Sequence, residues 1–333
     1  MKDIQNYSLL NHNTFGIDVK CQRFLEYSQS LEALQVAKIL RGSSLPYIII
    51  GGGSNLLLTR DFDGIVVHSA CKGIDFDDDV ICCGSGESWD NVVAQSIQHQ
   101  LYGLENLSLI PGDVGASAVQ NIGAYGVEAK DFITQIFAVE ISSGNIVVIS
   151  HEECAYGYRD SRFKHEWKNQ YLILQVVYQL QTTFTPRLDY GNICSELQRQ
   201  GILQPTAQQV RQTIIDIRNE KLPDPKVLGN AGSFFMNPVV SRSKFEKLLA
   251  EYPQIPHYDI DTDRVKIPAG WLIEQSGWKG RSLGHAAVHD KQALVLVNLG
   301  GATGQEIVAL CQAIRKDVKD KFEIEISPEV NII

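Results

Sequence analysis

This 333-residue sequence predicts a fold of the α+β class, assembled from three consecutive α/β units. Three observations carry the prediction. Short β-branched runs alternate with amphipathic helical stretches, two adjacent runs in the middle read as a hairpin, and the two prolines of "LPDPK" (222–226) cut a long helix off from a further α/β stretch. A chain of this length is expected to form two or three cores.

In the first unit (1–70), "SLEALQVAKILR" has the period of an amphipathic helix, "YIII" is a short buried strand, and "GIVVHSA" is another. The second unit (71–220) carries the strand "DVICCG", the helical stretch "SWDNVVAQSIQHQL", the hairpin "FITQIFAVEISSGNIVVIS" with Ser-Gly-Asn at its turn, and the strand "YLILQVVYQL". Its sheet is expected to be mostly antiparallel. Thr206 and Gln209 form a capping box that opens a helix reaching about Glu220, where the prolines end it. In the third unit (221–333), Ser243 with Glu246 and Thr303 with Glu306 predict two more capped helices, while "ALVLVN" and "FEIEI" read as strands.

Composition narrows the function. With 44% apolar and 21% charged residues the chain reads as an ordinary soluble protein, and it has no run of about twenty apolar residues. The start "MKDIQNYSLL" has no export signal, so a cytoplasmic protein is expected. A formal charge of -9 argues against nucleic-acid binding, which needs a basic face, but leaves room for small anionic ligands. Seven cysteines with no C-x-x-C spacing read as reduced thiols. His285 and His289 in "HAAVH" have the spacing of two ligands on a helical face, but no third ligand accompanies them, and no metal is expected.

Two glycine-rich loops carry the first chemical signal. "IIIGGGSNLLL" (48–58) follows a buried strand and exposes backbone N–H groups suited to a phosphate oxygen, although a tight turn between strands explains it equally well. "LIPGDVGASAVQNIGAYG" (109–126) has four glycines and no lysine or arginine, so a pyrophosphate there would be held by backbone amides and neutral polar groups. Neither loop fits G-x-G-x-x-G, and no Walker-type motif is present. A nucleotide site of another architecture is implied.

The motifs "NTFGIDV" (13–19), "GGGSNLL" (51–57), "GLENLSLIPGDVGASAVQNIGAYG" (103–126), "YGYRDSRFK" (156–164), "KLPDPK" (221–226), "GNAGSFFMNP" (229–238), "IPAGWLIEQSGWKG" (267–280) and "PEV" (328–330) occur in an order and spacing that closely resembles the UDP-N-acetylenolpyruvoylglucosamine reductase (MurB) family. The resemblance spans nearly the whole chain. It implies two units forming a vanillyl-alcohol-oxidase-type FAD-binding module and a C-terminal unit for the UDP-sugar. It also implies a monomer that uses noncovalent FAD and NADPH to reduce the enolpyruvyl ether of UDP-N-acetylglucosamine to UDP-N-acetylmuramate. By the same resemblance, FAD contacts are expected from Gly51, Gly52, Gly53, Ser54 and Asn55 in the first loop. The second loop would contribute Pro111, Gly112, Gly115, Ala116, Ser117, Gln120, Asn121, Gly123, Ala124 and Tyr125.

The reaction that the resemblance implies sets its own demands. Hydride addition to the terminal CH2 of the enolpyruvyl group leaves carbanion character on the next carbon, which spreads into the carboxylate. A fixed guanidinium and a protonated carboxylic acid stabilise that charge as it develops. Arg159 and Glu329 match the family's residues for these tasks, and Ser233, flanked by small residues, matches its proton donor. For Glu329 to donate, its surroundings must favour the neutral acid. Read without the family, Arg159 is a solvent salt bridge, Glu329 a surface carboxylate and Ser233 a hydroxyl bonded to nearby backbone.

Tyr190 in "RLDYGNI" resembles the family's aromatic cover over the substrate, and Tyr158, Lys221, Asn237, Tyr258 and Gln292 match substrate contacts. Met236 and Ser327 depart from the family's usual lysine and acidic residue. Two rivals stay open: a flavin oxidase of an alcohol or sugar, which would reduce oxygen and would not need Ser233, and a nucleotide-sugar-binding protein without turnover.

Overall fold

A computed structural model describes residues 1–333, which divide into two compact units. Unit 1 comprises Met1–Tyr7, Lys20–Gly52 and Phe62–Glu220, and unit 2 comprises Ser8–Val19, Gly53–Asp61 and Lys221–Ile333.

Unit 1 contains two sheets. The first has the strand order Lys2–Ser8, Lys20–Tyr27, Phe62–Ser69, Tyr47–Ile50, with the last three strands parallel to one another. Parallel pairing needs a crossover, and helix α1 (Ser30–Arg41) supplies one between the second strand and Tyr47–Ile50. Ala33, Val36, Ala37 and Leu40 recur at helical spacing and are buried. The second sheet is antiparallel throughout, in the order Asn145–Ser150, Ile133–Glu140, Tyr171–Gln179, Val80–Gly84, Ile74–Asp77.

The boundary expected near residue 70 falls inside unit 1. One apolar core takes Leu25, Tyr27 and Val67 from the first sheet together with Val139, Leu172 and Leu174 from the second, so the two sheets share their buried surface. On the second sheet, helices α2 (Trp89–Gln98) and α3 (Val114–Gln120) bury Trp89, Val92, Val93, Val114 and Ala118 against Ile136, Val176 and Tyr178. Helices α4 (Ile193–Arg199) and α5 (Ala207–Lys221) form a further layer through Ile193, Leu197, Val210, Ile214 and Ile217. The Thr206–Gln209 capping box is present, with reciprocal bonds of 2.9 and 3.3 Å.

Unit 2 is built on an antiparallel sheet in the order Gly229–Ser233, Val295–Asn298, Ala286–Val288, Ser282–Leu283. A small sheet of Val239–Ser241, Arg264–Lys266 and Tyr258–Asp259 packs with helix α6 (Arg242–Glu251), while helix α7 (Ala269–Gln275) packs on helix α8 (Gly304–Phe322), which lies against the main sheet. Thr303 and Glu306 cap α8 as expected. For α6 the cap is Ser241, whose hydroxyl accepts from the Lys244 amide at 3.2 Å, rather than Ser243. "FEIEI" is not a strand. Phe322 closes α8, and Ile324 and Ile326 are buried between exposed glutamates, so the alternation records burial without a pairing partner. "HAAVH" is not helical either. Its centre is a strand, and His285 bonds Glu306 at 3.1 Å.

Candidate active site

In unit 1 the two glycine loops meet. A Cβ on Gly51 would stand 3.1 Å from the Ala116 Cβ, one on Gly52 would stand 3.3 Å from the Asp113 carboxylate, and one on Gly115 would stand 3.0 Å from the Ser85 Cβ. These contacts are tighter than ordinary van der Waals distance, so glycine at 51 and 52 lets the loops close on each other, and glycine at 115 lets the second loop close on Ser85. His68 is 3.7 Å from the Asp113 carboxylate and 3.1 Å from that of Glu26. Two residues expected among the cofactor contacts turn their side chains inward. The Ser117 hydroxyl bonds the Val114 carbonyl at 2.7 Å and the Tyr178 phenol at 2.8 Å. The Asn121 side chain donates to the Gly157 carbonyl at 2.6 Å and accepts from the Lys130 amide at 3.0 Å.

The second loop ends in a tight hairpin. Gly123–Ala124 pairs with Val127–Glu128, and Tyr125 and Gly126 both take positive φ, 48° and 78°, as a two-residue primed turn requires. Asn106 donates to the carbonyls of Tyr125 and Arg187, both at 2.9 Å, tying this hairpin to the Tyr190 segment. Tyr190 lies over Gly126, and the Tyr125 ring lies over Gly191. No local pattern signals this interlock.

Arg159 is fixed from several sides. It sits at φ 54° in a turn closed by the Gly157 and Asp160 backbones at 3.0 and 3.2 Å, and Lys164 donates to its carbonyl at 2.6 Å. A left-handed conformation is uncommon for arginine and holds only where neighbours impose it. Its guanidinium donates to the Gly123 carbonyl, lies 3.9 Å from Glu128 and stacks over the Tyr158 ring at 5.1 Å. Only 16% of the side chain is exposed, which does not suit a solvent salt bridge.

Unit 2 draws four distant motifs together. Thr14 donates from its hydroxyl to the Asn230 carbonyl at 2.6 Å and from its amide to the Gly53 carbonyl at 3.2 Å. Asn298 donates to the Phe15 carbonyl at 2.9 Å. The Phe234 carbonyl, one residue past Ser233, accepts the Glu329 amide at 2.8 Å, and Phe235 bridges to Pro328. The chain end is held in turn by Asn55, whose carbonyl accepts the Asn331 amide at 3.1 Å. Ser233 and Glu329 are thereby placed on adjoining backbone. The Ser233 residue is exposed and its hydroxyl bonds nothing in the protein, so the backbone-bonded reading of that serine does not hold; Glu329 is half-buried.

The remaining expected contacts spread over both units. Asn237 accepts from the Ala269 amide at 2.9 Å and so caps α7, while Gln292 accepts from the Leu294 amide at 3.3 Å. Tyr158 and Tyr258 are exposed, Lys266 lies over the Tyr258 ring at 5.5 Å, and Lys221 ends α5 exposed. Met236 and Ser327 are neighbours, the Met236 amide donating to the Ser327 carbonyl at 3.0 Å, so the two departures from the family pattern sit side by side.

Sequence reasoning missed one group. Arg211 makes a bidentate pair with Asp90 at 2.6 and 2.9 Å, and Arg218 stands two turns further along α5, beside Tyr125. Burial raises the Asp90 carboxyl, but the hydrogen bonds from Arg211 and the Leu109 amide outweigh it and hold the group below the ordinary carboxylate range. The seven-residue spacing of the two arginines on a capped helix was the available signal.

Residues 24–150 match the family described as FAD binding domain, which places the protein in the class of FAD-binding proteins. Residues 224–333 match the family described as UDP-N-acetylenolpyruvoylglucosamine reductase, C-terminal domain. The UDP-N-acetylenolpyruvoylglucosamine reductase of Bacteroides fragilis strain YCH46 is 54% identical over 99% of both chains. That of Burkholderia multivorans is 44% identical over 98% of this chain and 95% of its own. The chain belongs to the UDP-N-acetylenolpyruvoylglucosamine reductase family. The crystal structure of the Thermus caldophilus member shares the fold, with a TM-score of 0.67 at 20% identity over 99% of this chain and 98% of its own. No helix is long and apolar enough to cross a membrane.

Proposed function

We propose that this chain is an NADPH-dependent flavoenzyme that reduces UDP-N-acetyl-3-O-(1-carboxyvinyl)-glucosamine to UDP-N-acetylmuramate, a peptidoglycan precursor, with Arg159, Ser233 and Glu329 at the chemistry. The observation that carries the residue assignment is the joining of Ser233 to Glu329 through the bond between the Phe234 carbonyl and the Glu329 amide. Seven unpaired cysteines suit work in the reducing cytoplasm.

FAD fits the residues present. The missing side chains at glycines 51, 52 and 115 let the two loops pack closely against Ala116, Asp113 and Ser85, and that packing gathers backbone N–H groups suited to a pyrophosphate. In this reading Gly53, Ser54 and Asn55 extend the first loop, and Gly112, Gln120, Gly123 and Ala124 offer backbone along the second. Ser117 and Asn121 act by holding the second loop in shape. Bound FAD supplies the hydride chemistry, taking two electrons from NADPH and delivering them to the enolpyruvyl CH2.

The chain's own groups do the rest. Arg159, with its stem and backbone fixed, holds the substrate carboxylate and meets the charge that grows there, and its preset geometry means little reorganisation at that moment. Glu329 in its acid form donates to the same carboxylate. The unengaged Ser233 hydroxyl gives its proton to the carbanion carbon, converting CH2=C into CH3–CH. Lys221, Asn237, Tyr258 and Gln292 hold the UDP-sugar, with Lys221 as a point charge on diphosphate, while Tyr158 and Tyr190 cover it.

Ser233→Ala tests the assignment by stopped-flow absorbance of the flavin. Bleaching by NADPH is expected at close to the normal rate, and reoxidation by the enolpyruvyl substrate is expected to slow by about 10²–10⁴-fold. Loss of bleaching with fast reoxidation would remove Ser233 from the proton transfer. Rapid reoxidation by oxygen together with a simple alcohol or sugar as reductant would favour the oxidase reading.

A further inference from the structure

Glu128 has no part in the roles assigned above, yet it stands beside the residue assigned to the substrate carboxylate. It pairs with Gly123 across the hairpin that ends the second glycine loop. A Cβ at position 123 would meet the Arg159 Nη1 at 2.5 Å and the Glu128 Cγ at 3.1 Å, so the guanidinium and the glutamate stem share the space that glycine leaves. Arg159 donates from Nη2 to the Gly123 carbonyl and from Nη1 to the Asn121 carbonyl at 3.5 Å, and its Nη1 lies 3.9 Å from the Glu128 Oε1. All three partners come from residues 121–128, and of the three only Glu128 is charged.

That carboxylate is itself fixed. Its Oε2 takes the Lys130 Nζ at 2.9 Å and the Asn121 amide at 3.2 Å. The Glu128 side chain also caps the short turn Ala129–Asp131 by accepting from the Asp131 amide, while the Asp131 carboxylate accepts from the Glu128 amide at 3.1 Å. The buried Asn121 side chain donates to the Gly157 carbonyl at 2.6 Å as well, and Gly157 closes the turn that holds Arg159. One asparagine therefore ties the glutamate and the arginine turn to the same point. Side-chain exposures of 16% for Arg159 and 20% for Glu128 keep the pair from the full screening of a surface ion pair.

Building on the flavoenzyme reading, we infer that Glu128 is a positioning residue, whose fixed carboxylate sets the orientation in which Arg159 meets the enolpyruvyl carboxylate. A guanidinium held only by neutral carbonyls can pivot about those bonds, and a charge beside Nη1 stops the pivot. The same charge competes with the substrate carboxylate for the guanidinium in the ground state. Glu128 thus serves orientation for the developing charge rather than affinity, and its removal slows the chemical step without weakening binding.

Glu128→Gln tests this, because it is isosteric and keeps an oxygen for the Asp131 amide while removing the charge. Stopped-flow absorbance of the flavin reads the two half-reactions, and the flavin difference spectrum of oxidised holoenzyme reads affinity for the enolpyruvyl UDP-sugar. Bleaching by NADPH is expected at the normal rate and substrate affinity unchanged or tighter. Reoxidation by the substrate should slow by about tenfold, part of the roughly 10²-fold that a misplacement near 1 Å costs. In an Arg159→Lys background the same change should cost less than about threefold, since residues that act as a unit are not additive. Glu128→Asp, which keeps the charge but draws it back by one methylene, serves where the glutamine variant loses its flavin, and it should show the same split. Reoxidation within about threefold of the unaltered protein, or an equal loss in both backgrounds, overturns the inference. Slowed bleaching or weakened substrate binding overturns it too, because Glu128 would then only hold the loop in shape. An unaltered protein whose reduced flavin does not respond to the enolpyruvyl UDP-sugar sinks the flavoenzyme reading itself, a different failure.

Discussion

Gly229→Ala should disturb the strand that carries Ser233 without touching any proposed catalytic side chain. A Cβ at position 229 would stand 2.2 Å from the Phe15 carbonyl oxygen and 2.8 Å from its carbon, against the 3.4 Å at which ordinary contact begins. The shortfall of about 1.2 Å falls on backbone at both ends, so no rotamer change relieves it. Overpacking of this kind costs about 1–3 kcal/mol. Moving the Phe15 carbonyl also strains its bond from Asn298, worth about 1 kcal/mol more. A total of about 2–4 kcal/mol corresponds to an unfolding temperature lower by roughly 6–15 °C for a unit of this size. Ser233 lies four residues along the same strand, and a displacement near 1 Å is enough to cost about 10²-fold in turnover. The assay is thermal unfolding by near-UV circular dichroism alongside steady-state turnover. Gly301→Ala is the control, with positive φ but nothing within 4 Å of the new Cβ, and should cost only about 1–2 kcal/mol of backbone strain. If Gly229→Ala unfolds with the control and turns over normally, the Phe15 segment does not set the position of Ser233.

Arg159→Lys keeps the charge but loses the fork that reaches the Gly123 carbonyl, and turnover should fall by about 10²-fold or more with a smaller change in KM; near-normal turnover would take Arg159 out of the mechanism. The Asp90 carboxyl has its folded pKa depressed, so its stabilisation is fully present above the unfolded value near 4 and is lost as pH falls through the lower folded value. Asp90→Asn should therefore flatten the acid limb of the stability–pH profile measured by urea unfolding between about pH 5 and 3, and cost about 1–3 kcal/mol at neutral pH; an unchanged acid limb refutes it. Acid precipitation should leave the yellow flavin in the supernatant, and colour that stays with the pellet would mean a covalent tether.

Local signals in the sequence were enough for the elements whose cause is itself local. The Thr206 and Thr303 caps, the hairpin around Ser143–Asn145 and the amphipathic stripe of α1 each rest on residues within a few positions of one another, so propensity and pattern reach them. "FEIEI" shows the limit of that logic. Burial alternates there as in a strand, but pairing depends on a partner that no local pattern reveals, and no partner strand is there. The sequence likewise pointed to the two glycine loops, and by resemblance to Arg159, Ser233 and Glu329. Only the folded chain decided how such positions are held. Thr14 bonds Asn230 across 216 residues, Asn55 holds the chain end 276 residues away, and the 8–19 and 53–61 segments join the C-terminal unit rather than the one they precede. Those contacts are hydrogen bonds to backbone carbonyls far away in the chain, and a backbone carbonyl carries no sequence signature. The Asp90–Arg211–Arg218 group is of the same kind, because a charge becomes informative only when burial fixes which partners it has and which it lacks.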